Sequence, residues 1–329
     1  MKFLSFCASL FFCFNINAGE AKYKINWVLA HEPARVFLRA ANEFKKKIEK
    51  ESNGEITVNI VDSSAYSKGA VSAEKSFELV KTGQVQMSQL YTNYLGYYDQ
   101  QMRILDLPFL FKSHAHASKV LDGEIGQTIL AGLDKTKVRG LAFTYSGGFR
   151  IIPTANAPLS TVESFKGKKI GYSGYSPIAR AYLKEIGAEP IDTKDAEIND
   201  KGTGEGFETT YARLAGIPNV KMKYLNETEH TLFLTSIVIN SEFLQSLPEN
   251  YRNLVQATAK KVAAFERAES IEDNIAAKKV FIEKNHMQVV KLNDVEVAKM
   301  KALSIPVYKS FSNKKDQDII TAIQNADSN

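Results

Sequence analysis

The fold of this chain is decided by residues 25–61, which read INWVLAHEPARVFLRAANEFKKKIEKESNGEITVNIV. The run from Ile25 to Leu29 is short and apolar, as in a buried strand, and residues Ile56 to Ile60 alternate as a second strand. Between them, apolar side chains recur at helical spacing from Phe37 to Ile48. This strand, helix and strand order predicts a parallel, doubly wound α/β sheet.

The same order continues toward the C-terminus. A second α/β set follows, with a strand from Val138 to Tyr145 and a helix from Ile178 to Ile186. Because no Pro/Gly/Ser linker separates the two sets, we expect two lobes joined by strands that cross between them. We predict lobe I over 19–147 and about 233–272, and lobe II over 148–232 and about 273–329.

A long amphipathic segment runs from Pro248 to about Lys284 without an interior proline or glycine. At about 1.5 Å per residue, one continuous helix would reach roughly 50 Å and brace both lobes. The alternative is two helices with a break near Glu269 to Asp273.

The N-terminus has the pattern of an export signal. Met1-Lys2 is positive, Phe3 to Phe14 is mostly apolar, and Ile16-Asn17-Ala18 resembles a cleavage site. We therefore predict a signal peptide over 1–18 and a periplasmic mature protein that is not inserted in the membrane. A membrane anchor would need about 20 apolar residues, and a lipoprotein would have a small residue before Cys13, where Phe12 stands. Cleavage removes both cysteines, Cys7 and Cys13.

Composition and motifs argue against an enzyme or a nucleic-acid binder. At 329 residues, with 44% hydrophobic and 24% charged residues, two globular domains are the default expectation. The net charge of +5 is too small to indicate nucleic acid. No nucleophile elbow, Walker loop, zinc-protease motif or dinucleotide fingerprint is present. His114 and His116 would face different sides of a helix, so we expect neither metal nor cofactor. A binding protein that closes on its ligand fits best.

Several motifs carry a specific resemblance. They are Leu105 to Phe111 (LDLPFLF) with His116-Ala117, Gly147-Gly148-Phe149-Arg150, Phe165 to Ile170 (FKGKKI), Gly187 to Pro190 (GAEP), and Lys223-Tyr224 with Thr228 and His230. In this order and spacing the chain resembles the solute-binding proteins of TRAP transporters (tripartite ATP-independent periplasmic), of the C4-dicarboxylate-binding type.

The resemblance implies two α/β domains with interlocked sheets, a long helix across both, and a cleft that closes on a small organic anion. It also implies membrane permease subunits as partners, driven by an ion gradient. Two other functions stay open: a receptor that presents its closed form to a membrane sensor, and an exported enzyme on the same fold.

Arg150 is the leading candidate for ligand contact. It matches a cleft arginine of the family and stands at a predicted strand end, where its planar guanidinium could bind a carboxylate bidentately. The alternative is a surface arginine, or one that pairs with an acidic neighbour.

The sequence departs from the family where the resemblance would place further ligand residues. The usual second arginine, after the FKGKKI segment, is Gly171, and the usual asparagine after Glu208 is Thr209. The helix before Glu208 is shortened. We therefore expect an atypical organic acid, and a dicarboxylate held at both ends is disfavoured.

Other candidates follow predicted strands, because the carboxyl ends of strands line the crevice of an open α/β sheet. They are Tyr172 and Ser173, Tyr91 and Asn93, His31 and Glu32, and Asp195, which could recognise an amino or hydroxyl group.

Overall fold

The computed structural model describes residues 21–29, 35–62, 65–66, 72–193, 205–218 and 221–326. The predicted signal peptide and three predicted site residues, His31, Glu32 and Asp195, lie outside the described residues.

Eleven strands are present in the described part of the chain. They are β1 (Tyr23–Leu29), β2 (Ile56–Val61), β3 (Met87–Tyr91), β4 (Val138–Phe149), β5 (Ile152–Thr154), β6 (Lys169–Ser173), β7 (Glu189–Thr193), β8 (Gly206–Phe207), β9 (Tyr224–Glu227), β10 (Leu232–Asn240) and β11 (Gln288–Lys291).

Twelve α-helices lie within the same described residues. They are α1 (Arg35–Glu51), α2 (Ala73–Lys81), α3 (Thr92–Leu95), α4 (Gln101–Ile104), α5 (His114–Asp122), α6 (Glu124–Ala131), α7 (Pro177–Glu185), α8 (Tyr211–Leu214), α9 (Ser241–Ser246), α10 (Glu249–Glu283), α11 (Asp294–Lys309) and α12 (Lys314–Asn325).

The first sheet has the strand order β2-β1-β3-β10-β4. Strands β1, β2 and β3 are parallel, as the opening stretch predicts, but β10 runs antiparallel to both β3 and β4. The predicted parallel arrangement therefore holds for β1, β2 and β3, and the antiparallel strand β10 was not predicted. The reason is that β10 enters this sheet from the other lobe, without the crossover helix that makes neighbouring strands parallel.

The second sheet has the order β11-β9-β5-β8-β6-β7 and is also mixed. β6 is parallel to both β7 and β8, whereas β5 is antiparallel to β8 and β9. The two sheets define the two lobes, which we call the first-sheet lobe and the second-sheet lobe.

Besides helix α10, two chain segments cross between the lobes. β4 of the first sheet leads directly into β5 of the second, and β9 of the second sheet leads back into β10 of the first. The predicted α/β fold with two lobes and interlocked sheets is confirmed, with each lobe completed by chain that has already passed through the other.

Helix α10 is a single helix of 35 residues. Glu269 and Asp273, where a break was the alternative, are both helical and both pair with Arg39 of α1, at 2.9 and 2.7 Å. Nearer its end, Ala277 and Phe281 join an apolar cluster with Phe207 and residues of the second-sheet lobe. The long helix across both lobes is therefore confirmed, and the two-helix alternative is wrong.

The C-terminal helices pack on different lobes: α11 contacts α7, whereas α12 contacts α4 and α6. The residue boundaries of the lobes remain a prediction. Of the helices in the described ranges, none is both long and apolar enough to cross a membrane.

Candidate ligand-binding site

Arg150 lies where the two crossing segments meet. Its backbone N–H donates to the carbonyl of Thr231 at 2.8 Å, and its carbonyl accepts from the N–H of Glu229 at 3.1 Å. The backbone of Arg150, on the first crossing segment, is thus hydrogen-bonded to the second crossing segment at two points. These bonds place the residue between the lobes. The side chain is 2% exposed, so Arg150 is not the surface arginine of the alternative interpretation.

Two carboxylates flank the Arg150 guanidinium. Asp106, in the LDLPFLF motif, places Oδ1 3.5 Å from Nη2, and Glu208 places Oε2 4.0 Å from Nη1. Both distances exceed the usual length of an N–H to oxygen hydrogen bond, about 2.7–3.2 Å. Arg150 Nε has no hydrogen-bond partner in the described part of the chain. The positive charge is therefore balanced, but the guanidinium keeps donors for another acceptor.

The two carboxylates differ in their own partners. Glu208 Oε1 lies 2.5 Å from Nε2 of His230, whose Nδ1 lies 2.7 Å from Thr228 Oγ1. Burial opposes ionisation of Glu208, but the His230 hydrogen bond and the charges of His230 and Arg150 outweigh it and lower its pKa. At Asp106 burial dominates and raises the pKa, although Arg150 and the Ser176 hydroxyl favour the charged form.

A small cavity of about 10 Å³ opens beside Arg150, about enough for one water molecule. It is lined by Thr92, Asn93, Met102, Leu105, Asp106, Arg150 and Leu234. Asn93 is 6% exposed, and neither its amide nitrogen nor its amide oxygen has a hydrogen-bond partner among the described residues. Buried polar atoms are normally hydrogen-bonded, so the Asn93 amide has a donor and an acceptor available for a polar group in the cavity.

An aromatic ring lies next to this cavity. The Arg150 Cζ atom is 4.0 Å from the centroid of the Phe233 ring, and the Cζ atom of Arg213 is 4.7 Å from the same centroid. Tyr91 lies beside them, with its ring 5.3 Å from Phe233 and 5.4 Å from Arg213 Cζ. Two guanidinium groups therefore share one ring at the lobe interface.

Sequence reasoning missed Arg213. It is the third residue of α8, five positions after Glu208. Its position close after the preserved Glu-Gly-Phe-Glu motif is the only pointer to it in the sequence.

The other predicted residues of the second-sheet lobe lie outside the cavity lining. Thr209 forms an isolated β-bridge with Ile151, and its hydroxyl is directed at the Thr210 carbonyl, 3.5 Å away. Tyr172 is buried on β6, where burial first and the Asp192 charge second raise its pKa. Ser173, at the end of β6, is half-buried. Among the described predicted residues, the structure brings together Arg150, Asn93 and Tyr91.

Gly171 lies directly behind Glu208. Its carbonyl accepts from the Glu208 N–H at 2.9 Å, and the residue pairs with Phe207 across the sheet. The strand that resembles the family's clamping segment therefore presents no side chain at this point.

Tyrosines close the other side of the lobe interface. The Tyr175 hydroxyl donates to Glu74 at 3.2 Å, and its ring packs edge-on against Tyr94 with centroids 5.1 Å apart. The hydroxyl of Tyr97 lies 3.4 Å from the Gly174 carbonyl. Residues from both lobes thus touch here, and the molecule is in a closed arrangement.

The histidines have structural contacts. His116 uses both ring nitrogens, with the Lys112 N–H at 3.1 Å and the Ile323 carbonyl at 2.8 Å. His114 packs against Tyr145 and Phe149. Within the described ranges, no group of three or more His, Cys, Asp or Glu residues is arranged to hold a metal ion.

Two interlocked lobes that enclose a buried arginine and an unsatisfied amide define a ligand-binding protein of the type that closes on its solute. Residues 30–315 match the model of the bacterial extracellular solute-binding protein family 7, DctP, and the chain belongs to this family. The resemblance to TRAP solute-binding proteins is confirmed.

Individual relatives agree with this assignment. The chain is 28% identical over 241 residues to the 2,3-diketo-L-gulonate-binding periplasmic protein of Escherichia coli, covering 71% of each chain. It is 24% identical to the C4-dicarboxylate-binding periplasmic protein DctP of Rhodobacter capsulatus, covering 88% of this chain and 86% of that one.

A solved structure matches over nearly the whole fold. It is a TRAP periplasmic solute-binding protein from Xanthobacter autotrophicus Py2 with bound β-D-galacturonate, at 26% identity and a TM-score of 0.82. The alignment covers 92% of this chain and 100% of that one.

Proposed function

We propose that this protein is the periplasmic subunit of a TRAP transporter that captures a small organic acid and delivers it to the membrane permease subunits. The observation that carries the choice of an acid is Arg150, buried between the lobes with an unpartnered Nε beside the cavity. A hydrogen bond from a charged donor to a carboxylate contributes about 1.5–3 kcal/mol in such a site.

The site favours an acid with one carboxylate and several hydroxyl groups. Asn93 Oδ1 and Glu208 Oε2 are buried acceptors that receive no hydrogen bond in the described part of the chain, and both would accept from ligand hydroxyls. A second carboxylate on the ligand would be repelled by Glu208, because His230 and Arg150 hold that side chain in its charged form. We therefore expect hydroxylated monocarboxylates to bind more tightly than plain dicarboxylates.

Binding requires the lobes to separate. The cavity of about 10 Å³ is too small for an organic acid. The tyrosine contacts that close the interface join Tyr175 to Glu74 and Tyr94. We infer that the ligand enters an open form and that these contacts re-form around it, so that the closed, loaded protein is what the permease meets.

A thermal-shift screen followed by calorimetry tests the proposal. The panel contains D-galacturonate, D-glucuronate, D-gluconate, succinate and malate, with methyl D-galacturonate as the uncharged control. We expect the sugar acids to raise the melting temperature most, because a ligand at about 100 times its Kd adds about 2.7 kcal/mol of stability. Succinate should have a smaller effect, and the ester almost none.

The Arg139→Gln variant is the matched protein control. Arg139 is a half-buried arginine at the start of β4, at the opposite end of the strand from Arg150, and it pairs with Asp134. Its loss should therefore leave every shift unchanged. If no acid in the panel changes the melting temperature, the proposal fails; if the tightest ligand is converted to product, the protein is an enzyme instead.

A further inference from the structure

Asp106 lines the same cavity as Arg150, at the place where we propose that the ligand carboxylate binds. It comes from the LDLPFLF segment after α4, and it is 7% exposed. An ionised carboxyl group in this position repels the anion that the site is proposed to hold, because like charges that share one site disfavour each other. A protonated carboxyl group would instead be a hydrogen-bond donor to that anion.

Two carboxyl groups already share the guanidinium of Arg150. Asp106 Oδ1 lies 3.5 Å from Nη2, and Glu208 Oε2 lies 4.0 Å from Nη1. Glu208 also has His230, with Nε2 2.5 Å from its Oε1, whereas the side-chain hydrogen bond to Asp106 comes from the neutral hydroxyl of Ser176. A ligand carboxylate at Arg150 would be a third acid at one cation, so Asp106 is the group whose charge that ligand opposes most directly.

The two oxygens of Asp106 have different surroundings. Oδ2 accepts from the Ser176 hydroxyl, and the Ser176 oxygen accepts in turn from the Ala179 N–H at 2.9 Å, which caps α7. Oδ1 is on the Arg150 side, at a distance longer than the usual hydrogen bond of about 2.7–3.2 Å. A proton on Oδ1 would therefore leave the Ser176 hydrogen bond intact and would place an O–H donor next to Arg150.

The charged and titratable groups that face Asp106 come from several elements. They are Arg150 after β4, Glu208 after β8 and His230 before β10. Arg213, beside the same Phe233 ring as Arg150, carries a charge that does not titrate near neutral pH.

The balance of these groups favours the protonated form of Asp106. Burial is the largest influence and raises its pKa, and the charge of Glu208 raises it further. Arg150, the Ser176 hydroxyl and His230 act in the opposite direction, but they do not outweigh burial. An anionic ligand beside Arg150 would act in the same direction as Glu208, so it would favour the protonated form still more.

We propose that Asp106 is a ligand-binding residue that takes up one proton from solvent when the acid is captured, and that its O–H then donates to the ligand carboxylate beside Arg150. The inference rests on the proposed function, since it concerns the same site. Because the complex then holds a proton that the free protein lacks, affinity for the acid should rise as pH falls. The carboxyl group of the ligand is ionised throughout the neutral range, so it adds nothing to this dependence.

The test is calorimetry on wild type and Asp106→Asn at pH 6, 7 and 8, with D-galacturonate or the acid with the largest thermal shift. At pH 7 each titration is run in PIPES and in Tris, because the difference in measured heat between buffers of different ionisation enthalpy counts the protons taken up. We expect wild type to take up as much as about one proton per ligand and to lose up to about tenfold in affinity per pH unit as pH rises.

The asparagine variant should behave differently in two ways. Its amide cannot carry a negative charge and can donate an N–H where the protonated acid would donate its O–H. We therefore expect no proton uptake and no pH dependence in Asp106→Asn. At pH 8 it should bind the acid about tenfold more tightly than wild type, since wild type must then be protonated at a less favourable pH.

Glu266→Gln is the matched control. Glu266 is a buried acid of α10 that accepts from Gln89 at 2.7 Å, and it is not among the residues that line the cavity. This variant should keep the proton uptake of wild type. Unliganded melting temperatures show whether each variant is folded, and Asp106→Ser, which is also neutral, replaces the asparagine variant if that variant does not fold.

The outcomes separate this inference from the proposed function. Tight binding by wild type without proton uptake, or the same uptake in Asp106→Asn as in wild type, would overturn the role of Asp106 while capture of an organic acid still stands. If wild type binds no acid at any of the three pH values, the proposed function fails and the role of Asp106 with it.

Discussion

Two glutamates of this protein are fully buried, yet their surroundings drive their pKa values in opposite directions. Glu208, at the lobe crossing, has His230 and Arg150 beside it, and its pKa is lowered. Glu266, on α10 beneath the first sheet, accepts from the neutral amide of Gln89 at 2.7 Å, and burial raises its pKa to about 8. Burial alone therefore does not decide the charge of a carboxyl group; the nearest partners do.

The two regions differ in the hydrogen bonding of their buried groups. The cluster at the crossing contains charged groups that are close but not fully hydrogen-bonded, as the ligand site that we propose there would need. The cluster under α10 is a network of neutral groups in which Gln89 also donates to Thr144 at 2.9 Å and to Thr235 at 3.0 Å. It joins β3, β4 and β10 to the long helix and has a structural role.

The largest expected effect comes from removing the cation of the crossing cluster. Arg150→Met keeps most of the side-chain length but leaves Asp106 and Glu208 as neighbouring buried carboxyl groups without their cation. Breaking a buried ion pair from one side costs about 3–5 kcal/mol. Urea unfolding at pH 7 should show a loss of this size.

A second substitution should restore part of the stability that Arg150→Met loses. Asp106→Asn in the Arg150→Met background removes one uncompensated acid and should restore part of the stability. Wild-type stability in Arg150→Met would mean that the two carboxylates do not depend on this arginine, and the contrast with Glu266 would collapse.

The buried carboxyl group of Glu266 should make the stability of the protein depend on pH. Its folded-state pKa of about 8 lies above the unfolded value near 4.5, so the native state holds a proton that the unfolded chain has lost. Stability should therefore fall as pH rises between these two values, by about 3 kcal/mol from pH 5 to pH 7.5. Glu266→Gln, which mimics the protonated form, should lack this loss.

Unfolding at a series of pH values, with wild type and Glu266→Gln side by side, measures this slope. Glu208 provides the opposite sign: because its folded pKa is lowered, its contribution is present above its ordinary pKa and is lost as pH falls through the folded value. Parallel pH profiles for the wild type and Glu266→Gln would contradict the assignment of a neutral Glu266.

The sequence was informative where local rules govern structure. The family resemblance, with its strand-end position, singled out Arg150, and the strand-end rule singled out Asn93 and Tyr91. The structure brings these three residues together around one cavity and one ring. The apolar spacing predicted the whole of α10. The role of Glu266 was not predicted, because a lone acid within a long amphipathic helix has the pattern of a solvated position.

Long-range geometry explains what was missed. Arg213 meets Phe233 only because α8 is fixed on β4, through the hydrogen bond from Thr210 to Ser146. The antiparallel strand β10 was missed for a related reason: the spacing of its residues does not say which sheet it joins. Pairing between segments far apart in the chain is not encoded in any one of them.

The smallest expected effect comes from removing one hydrogen bond of the cluster at the crossing. Thr228→Val keeps the shape of the side chain but removes the hydroxyl that lies 2.7 Å from His230 Nδ1. One neutral hydrogen bond contributes about 1 kcal/mol, so we expect urea unfolding at pH 7 to show a loss of about that size. Thr144→Val is the matched change in the neutral cluster, where Gln89 keeps Thr235 and Glu266 as acceptors. We expect Thr228→Val to be the more damaging of the two, because the histidine that it supports holds the charge of Glu208; the reverse order would mean that the neutral network is the more tightly constrained region.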